Sequence, residues 1–209
     1  MAVTTSGEGV RRSRRRGEAL LRAIYAAVLD ELAESGYRGL TMEAVAARAG
    51  TGKAPLYRRW HTKDDLILDT VRHGLPTGST PAYSGDIRAD ILGLLRQLAA
   101  ALSGPVGGAM RALLGETHRH PALFDGLDAA VFKPQGRELR TLLDAAAAAG
   151  KIRPEVVGSH VAHVGHEMLM FRFLAEGAPV PDSTIVAILD DLVMPLLSTP
   201  AGAEGRSPR

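Results

Sequence analysis

Residues 41–66, TMEAVAARAGTGKAPLYRRWHTKDDL, spell two short helices around a glycine turn, with basic and aromatic residues behind them. Thr41 is placed to cap the first helix with its hydroxyl, and Met42, Val45, Ala46 and Ala49 recur at three- and four-residue spacing, which builds one buried stripe. Gly50 ends that helix, since glycine tolerates the left-handed backbone a helix terminus needs, and Thr51 and Gly52 complete a turn of the length that sets two helices at a steep angle. The second helix starts near Lys53 and runs to about Arg59, with Pro55 in its first turn. The pattern reads as a helix-turn-helix.

Side-chain chemistry then assigns roles within the motif. The small residues Thr51, Gly52, Ala54 and Pro55 let backbone and methyl groups approach base edges in a major groove, with Lys53 the better candidate for a guanine and Ala54 and Pro55 for thymine methyls. Thr41, Thr51 and Tyr57 can donate hydroxyls to phosphates, Lys63 adds charge at the start of the next helix, and Arg58 and Arg59 reach base or phosphate. Leu56 reads as core of a three-helix head. Trp60 has two readings, a packed ring or a ring whose indole donor meets a phosphate.

Taken with its surroundings, this block resembles the N-terminal motif of the tetracycline-repressor (TetR) family of bacterial transcription regulators. The likeness covers roughly residues 18–72: a helix with Ala19, Ile24, Val28 and Leu32, the pair Gly36-Tyr37, the TMEAVAARAG block, LYRRW, and KDDL opening the next helix. Departures from the family pattern are Gly52 where many relatives carry a small hydroxyl residue, Pro55 where they have threonine or serine, and Trp60 where they have phenylalanine. A base preference therefore does not transfer from any relative.

Composition agrees with an all-α chain. Aromatic residues make up only 4% of the 209 residues and alanine and leucine dominate between caps and prolines, whereas a sheet protein would want runs of valine, isoleucine and tyrosine. Zero cysteines exclude a disulfide framework and a thiolate zinc site. Without an apolar run of membrane-spanning length, and with Glu18, Arg22 and Asp30 interrupting the segment behind the N-terminal arginines, the expected location is the cytoplasm, with no membrane partner.

Charge is divided unevenly. Residues 1–73 hold 13 Lys+Arg against 9 Asp+Glu, although the whole chain is only +2. Arg11, Arg12, Arg14, Arg15 and Arg16 form a basic arm over residues 1–17 that is expected to be disordered alone and to enter a minor groove or pair with phosphates. A tail that merely aids solubility is the plainer reading of the same arginines.

The expected domains are a DNA-binding head at 18–73, a breaker-rich joint at 74–85, a body at 86–199 and a disordered tail at 200–209. About nine helices are expected in all. In the body, Asp86 caps a helix with Ile87, Ile91, Leu95, Leu98 and Leu102 on its buried side, Pro105 and Pro121 start two more, and a kink is expected around Pro134 to Gly136. Pro154 to Ala175 and a helix capped by Asp182 or Ser183 carry more apolar surface than one packing face requires. In the TetR family the corresponding helices pair across a two-fold axis, so the resemblance implies a homodimer on a palindromic operator.

A body of this size implies sensing. Leu98, Met110, Leu114, Phe124 and Phe171 are candidates to line a cavity, with His163 and Glu167 as polar groups that orient a ligand, and a mostly apolar lining points to a hydrophobic or aromatic effector. Each of those apolar residues could equally be ordinary core. His160, His163 and Glu167 share a helical face, yet HxxHxxxE is not the HExxH of a zinc hydrolase, so metal-dependent catalysis stands only as an alternative. No Walker loop and no Gly-x-Ser-x-Gly elbow appears, and no cofactor is called for. The reading is a ligand-responsive, homodimeric repressor of double-stranded DNA, with a regulator lacking any ligand as its alternative.

Overall fold

The computed structural model describes residues 6–75 and 82–198, with residues 6–16 as backbone only. Every regular element among them is helical. The order is α1 (Ser6–Gly39), α2 (Met42–Arg48), α3 (Lys53–Arg59), α4 (Lys63–Gly74), α5 (Ile87–Leu102), α6 (Pro105–Glu116), α7 (Pro121–Leu127), α8 (Lys133–Ala148), α9 (Val164–Glu176), α10 (Asp182–Ala187) and α11 (Met194–Leu197). π-helical segments, Asp128–Phe132 and Ile188–Val193, join α7 to α8 and α10 to α11, so the described residues form nine helical runs.

Two compact units divide the chain, residues 1–71 with 108–124 and residues 72–107 with 125–209. Residues 108–124 thus group with the first unit. In the first unit Ile24, Val28, Leu32, Val45, Leu56, Leu66 and Ile67 form the core, all below 5% exposure. The last turn of α6 also packs here: Arg38 reaches Glu116 at 3.2 Å, and the Tyr37 and His120 rings lie 5.3 Å apart.

The α1 helix runs back to Ser6, through the basic segment expected to lack structure. No proline interrupts residues 6–35, and once a helix is nucleated each added residue gains a hydrogen bond, so helix propagates into the arm. The side chains of Arg14, Arg15 and Arg16 lie outside the described residues, as does the 200–209 tail.

In the second unit α5, α8, α9, α10 and α11 enclose Ile91, Leu95, Leu102, Leu142, Leu169, Phe173, Leu189 and Leu197. Gly165 marks a close crossing, because a Cβ there would stand 2.9 Å from Val193 Cγ2. Arg88 and Arg96 tie α5 to the last run through paired bonds of 2.7–2.8 Å to Asp190 and Asp182. Asp182 thus serves an ion pair at the first position of α10 and caps nothing, Pro181 being the N-cap residue.

Two local expectations fail for reasons visible in the chain. The helix foreseen from Pro154 begins only at Val164, after two 3-10 turns, because Val157 is extended and Gly158 sits at φ 82. The kink foreseen at Pro134 to Gly136 is replaced by the π segment just before it. A proline ring clashes with the carbonyl four residues earlier, here that of Ala130, and for Pro195 that of Asp191; both carbonyls lie in π segments, whose wider turn makes room for the ring.

Candidate nucleic-acid interface

Local chemistry sets the two helices of the motif. Thr41 Oγ1 accepts from the Ala44 amide at 3.1 Å and starts α2. Gly50 at φ 65 ends it, while the Gly50 and Thr51 amides donate back to the carbonyls of Ala47 and Ala46. Arg48 then fixes α2 to α1 by donating from Nε to Glu31 at 2.8 Å and from Nη1 to Glu34 at 2.8 Å, which holds the Glu34 carboxyl below the usual carboxylate range. Against this frame α3 buries Leu56 completely and turns its other side outward.

Exposed on that outer side are Gly52, Lys53, Ala54, Tyr57 (45%), Arg58 and Arg59, with Thr51 and Pro55 half-buried beside them. Thr41 is also exposed, and a hydroxyl that accepts a backbone bond keeps its own O–H to donate. The structure therefore leaves nine of the residues singled out from the sequence exposed or half-buried around the motif. Arg59 additionally lies over the Trp60 ring, 5.2 Å from its centroid.

Trp60 takes the packed of its two readings, and Lys63 is engaged inside the head. Trp60 is 4% exposed, stacks edge-on against Tyr25, and donates its indole N–H to Asp69 Oδ2 at 3.0 Å; that oxygen also accepts from Tyr25 at 2.7 Å. A buried indole donor finds a partner, and a carboxylate inside the head outcompetes a phosphate outside it. Trp60 is a packing residue. Lys63 is half-buried, donates to the Tyr37 carbonyl at 2.9 Å and sits 4.4 Å over the Tyr37 ring. Its ammonium braces the Gly36-Tyr37 corner, and Asp64 takes the Tyr37 hydroxyl at 2.9 Å. Burial first, then that bond, pushes the Tyr37 phenol up to about 12.

Sequence reasoning passed over two features here. Thr62 and Asp65 bond reciprocally, amide to side chain, at 3.0 and 3.1 Å, a capping box that starts α4 and was legible in the spacing T-x-x-D. Glu43, ten positions from Lys53, receives that residue's ammonium at 2.8 Å. Only the angle between α2 and α3 brings the two together, so no sequence signal could have paired them.

The sequence profile described as "Bacterial regulatory proteins, tetR family" matches residues 24–70, and "Tetracyclin repressor-like, C-terminal domain" matches residues 81–192. The second match alone spans more than half the chain. This protein belongs to the TetR family. An uncharacterized HTH-type transcriptional regulator of Mycobacterium tuberculosis is 31% identical over 179 residues, 86% of this chain and 88% of the relative. The DNA-binding transcriptional repressor TetR of Mycobacteroides abscessus is 28% identical over 186 residues, 87% and 96% of the two chains. Among solved structures, the TetR family transcription regulator SCO0332 superposes with a TM-score of 0.63 at 26% identity, covering 83% of this chain and 96% of that one. The TetR-family protein is thus a DNA-binding transcriptional regulator and not an enzyme.

The residues singled out for a ligand scatter. Leu98 and Met110 are buried, while Leu114 and His163 are half-buried. Phe124 is 48% exposed, Phe171 61% exposed, and Glu167 is exposed as well. These three do not face an interior in the protomer. Their helices had more apolar positions than one packed face can hold, and the surplus turned outward. His166, half-buried on α9, has its imidazole pushed down to about 4, by burial first and by His163 second. Among the described residues no group of three His, Cys, Asp or Glu is placed to hold a metal ion, and no single helix is long and apolar enough to cross a membrane.

Proposed function

We propose that this TetR-family regulator is a homodimeric repressor that leaves a palindromic operator when a hydrophobic or aromatic small molecule binds its body. The single observation that carries the DNA side of this reading is the outer face of α3, where Lys53, Ala54, Tyr57 and Arg58 are exposed around a helix anchored by fully buried Leu56. Small residues at the helix start admit bases, and the tyrosine and arginine reach phosphate. Two such helices held about 34–36 Å apart would read successive turns of one DNA face.

Ligand control has separate support. Each of α4, α6 and α7 contributes residues to both units, so the chain offers three covalent routes between them. His166, half-buried on α9, has its imidazole held neutral at pH 7 by burial and so can orient a ligand hydroxyl or carbonyl. An effector changes DNA affinity only by its difference in affinity for the two conformations. The protein would act in the cytoplasm, on double-stranded DNA.

The test is fluorescence anisotropy of the purified protein on its own upstream intergenic DNA, at several salt concentrations and against scrambled DNA of equal length. Selective binding of two protomers per site, reversed by an aromatic compound, is expected. Binding equal on both DNAs would overturn the operator reading, and selective binding that no compound in a broad aromatic screen reverses would favour a regulator without ligand.

A further inference from the structure

The ion pair between Glu43 and Lys53 joins the second residue of α2 to the first residue of α3, with a separation of 2.8 Å. Both side chains are more than half exposed, 51% and 59%, so the pair stands at the surface where α3 begins. Each partner strengthens the charge of the other: the Lys53 hydrogen bond lowers the Glu43 carboxyl and the Glu43 hydrogen bond raises the Lys53 ammonium. A neutral pair adds nothing to the attraction for phosphates, and a carboxylate alone would be repelled by them. On a DNA-facing surface such a carboxylate is matched by a donor on the DNA. The major groove supplies donors only at cytosine N4 and adenine N6.

We infer that Glu43 and Lys53 act as one unit that reads a single G·C base pair in each operator half-site, Lys53 at guanine and Glu43 at cytosine. The reading rests on α3 entering the major groove, as proposed above. Donors and acceptors then balance. The Lys53 ammonium has three N–H groups; one goes to Glu43 and two remain for guanine N7 and O6. Glu43 keeps a second oxygen to accept from cytosine N4. Guanine O6 and cytosine N4 are themselves hydrogen-bonded, so they lie about 2.9 Å apart, which matches the spacing of the protein pair. An A·T pair presents its donor between its two acceptors, so Lys53 finds one acceptor beside the Glu43 contact instead of two. Glu43 is therefore a specificity-determining residue, although it lies on the helix before the recognition helix.

The experiment selects DNA from a randomised duplex library with the full chain, with Glu43→Ala and with Lys53→Ala, and then measures competition among the four base pairs at each enriched position. Wild type should enrich one G·C position per half-site with roughly 10-fold preference over A·T. Each variant should lose that preference at the same position and keep the others. The idea is overturned if the variants alter different positions, or if Glu43→Ala tightens binding to all sequences alike and leaves the motif unchanged, which would make Glu43 a mere screen of the Lys53 charge. If wild type enriches no motif, both this inference and the underlying DNA-contact reading fail, whereas a motif indifferent to the two substitutions sinks only the pair.

Discussion

At the scale of single residues, neighbours in sequence divide between holding the head together and touching DNA, and the division can be measured. Trp60→Phe keeps the ring and removes the indole donor, leaving Asp69 with one bond fewer inside the head. A loss of about 1–2 kcal/mol in unfolding free energy is expected, with DNA affinity of the folded protein unchanged. Tyr57→Ala should do the reverse: an exposed phenol contributes little to stability, so the melting temperature stays while affinity falls on all DNA sequences alike. A Tyr57 variant that binds as wild type, with the same salt slope, would remove Tyr57 from the interface. Lys63→Ala is expected to lower stability first, since its ammonium is committed to the Tyr37 corner.

Much of the element scale was legible in the sequence. Caps and breakers act locally, so Thr41, Gly50, Asp86, Pro105 and Pro121 mark the boundaries they were expected to mark. What was illegible depends on partners distant in the chain. Trp60 found Asp69 and Lys63 found Tyr37 only after α1 and α4 packed, and the outward turn of Phe124 and Phe171 depends on which apolar positions the core had room for. Close approaches are equally hidden. A Cβ on Gly74, at the end of α4, would fall 2.2 Å from Val106 Cγ2 on α6, so the two helices touch where only glycine fits. Gly74→Ala should cost about 1–3 kcal/mol by overpacking, and the double variant Gly74→Ala/Val106→Ala should recover part of it; thermal unfolding of the three proteins checks this, and a cost unrelieved by Val106→Ala would place the strain elsewhere. On α9, His166 has a folded pKa of about 4, below its ordinary value of 6.5. The unfolded chain takes up the proton first as pH falls, so this contribution is full above about pH 6.5 and is lost as pH falls toward 4. It amounts to about 3 kcal/mol at most. In His166→Gln, stability between pH 6.5 and 4 should vary less steeply than in wild type, as measured by urea unfolding at each pH; an unchanged slope would assign the acid sensitivity to other groups.

For the whole molecule, the homodimer proposed above has its strongest support in the apolar surface of α9. Phe171 is 61% exposed and Leu174 41% exposed, three residues apart and therefore on one side of the helix. Large apolar side chains left together in water mark a surface that another chain covers, and a symmetric dimer covers it with its own copy. An interface of standard size buries about 1,200–2,000 Å² in total. Phe171→Asp tests this cleanly, because in the isolated protomer the site is already mostly solvated and a carboxylate there costs little, whereas inside an apolar interface it is an unpaired charge. Sedimentation should show folded monomers at concentrations where the proposed wild-type dimer persists, with a melting temperature lowered only by the lost stabilisation of dimerisation. Operator affinity should fall by orders of magnitude in the same variant, because each lone head meets one half-site and loses the gain from being linked to a second. A Phe171→Asp protein that remains a dimer would move the interface off this face of α9, and a monomer that still binds the operator as tightly as wild type would mean that one head suffices and that the operator is not read as two half-sites.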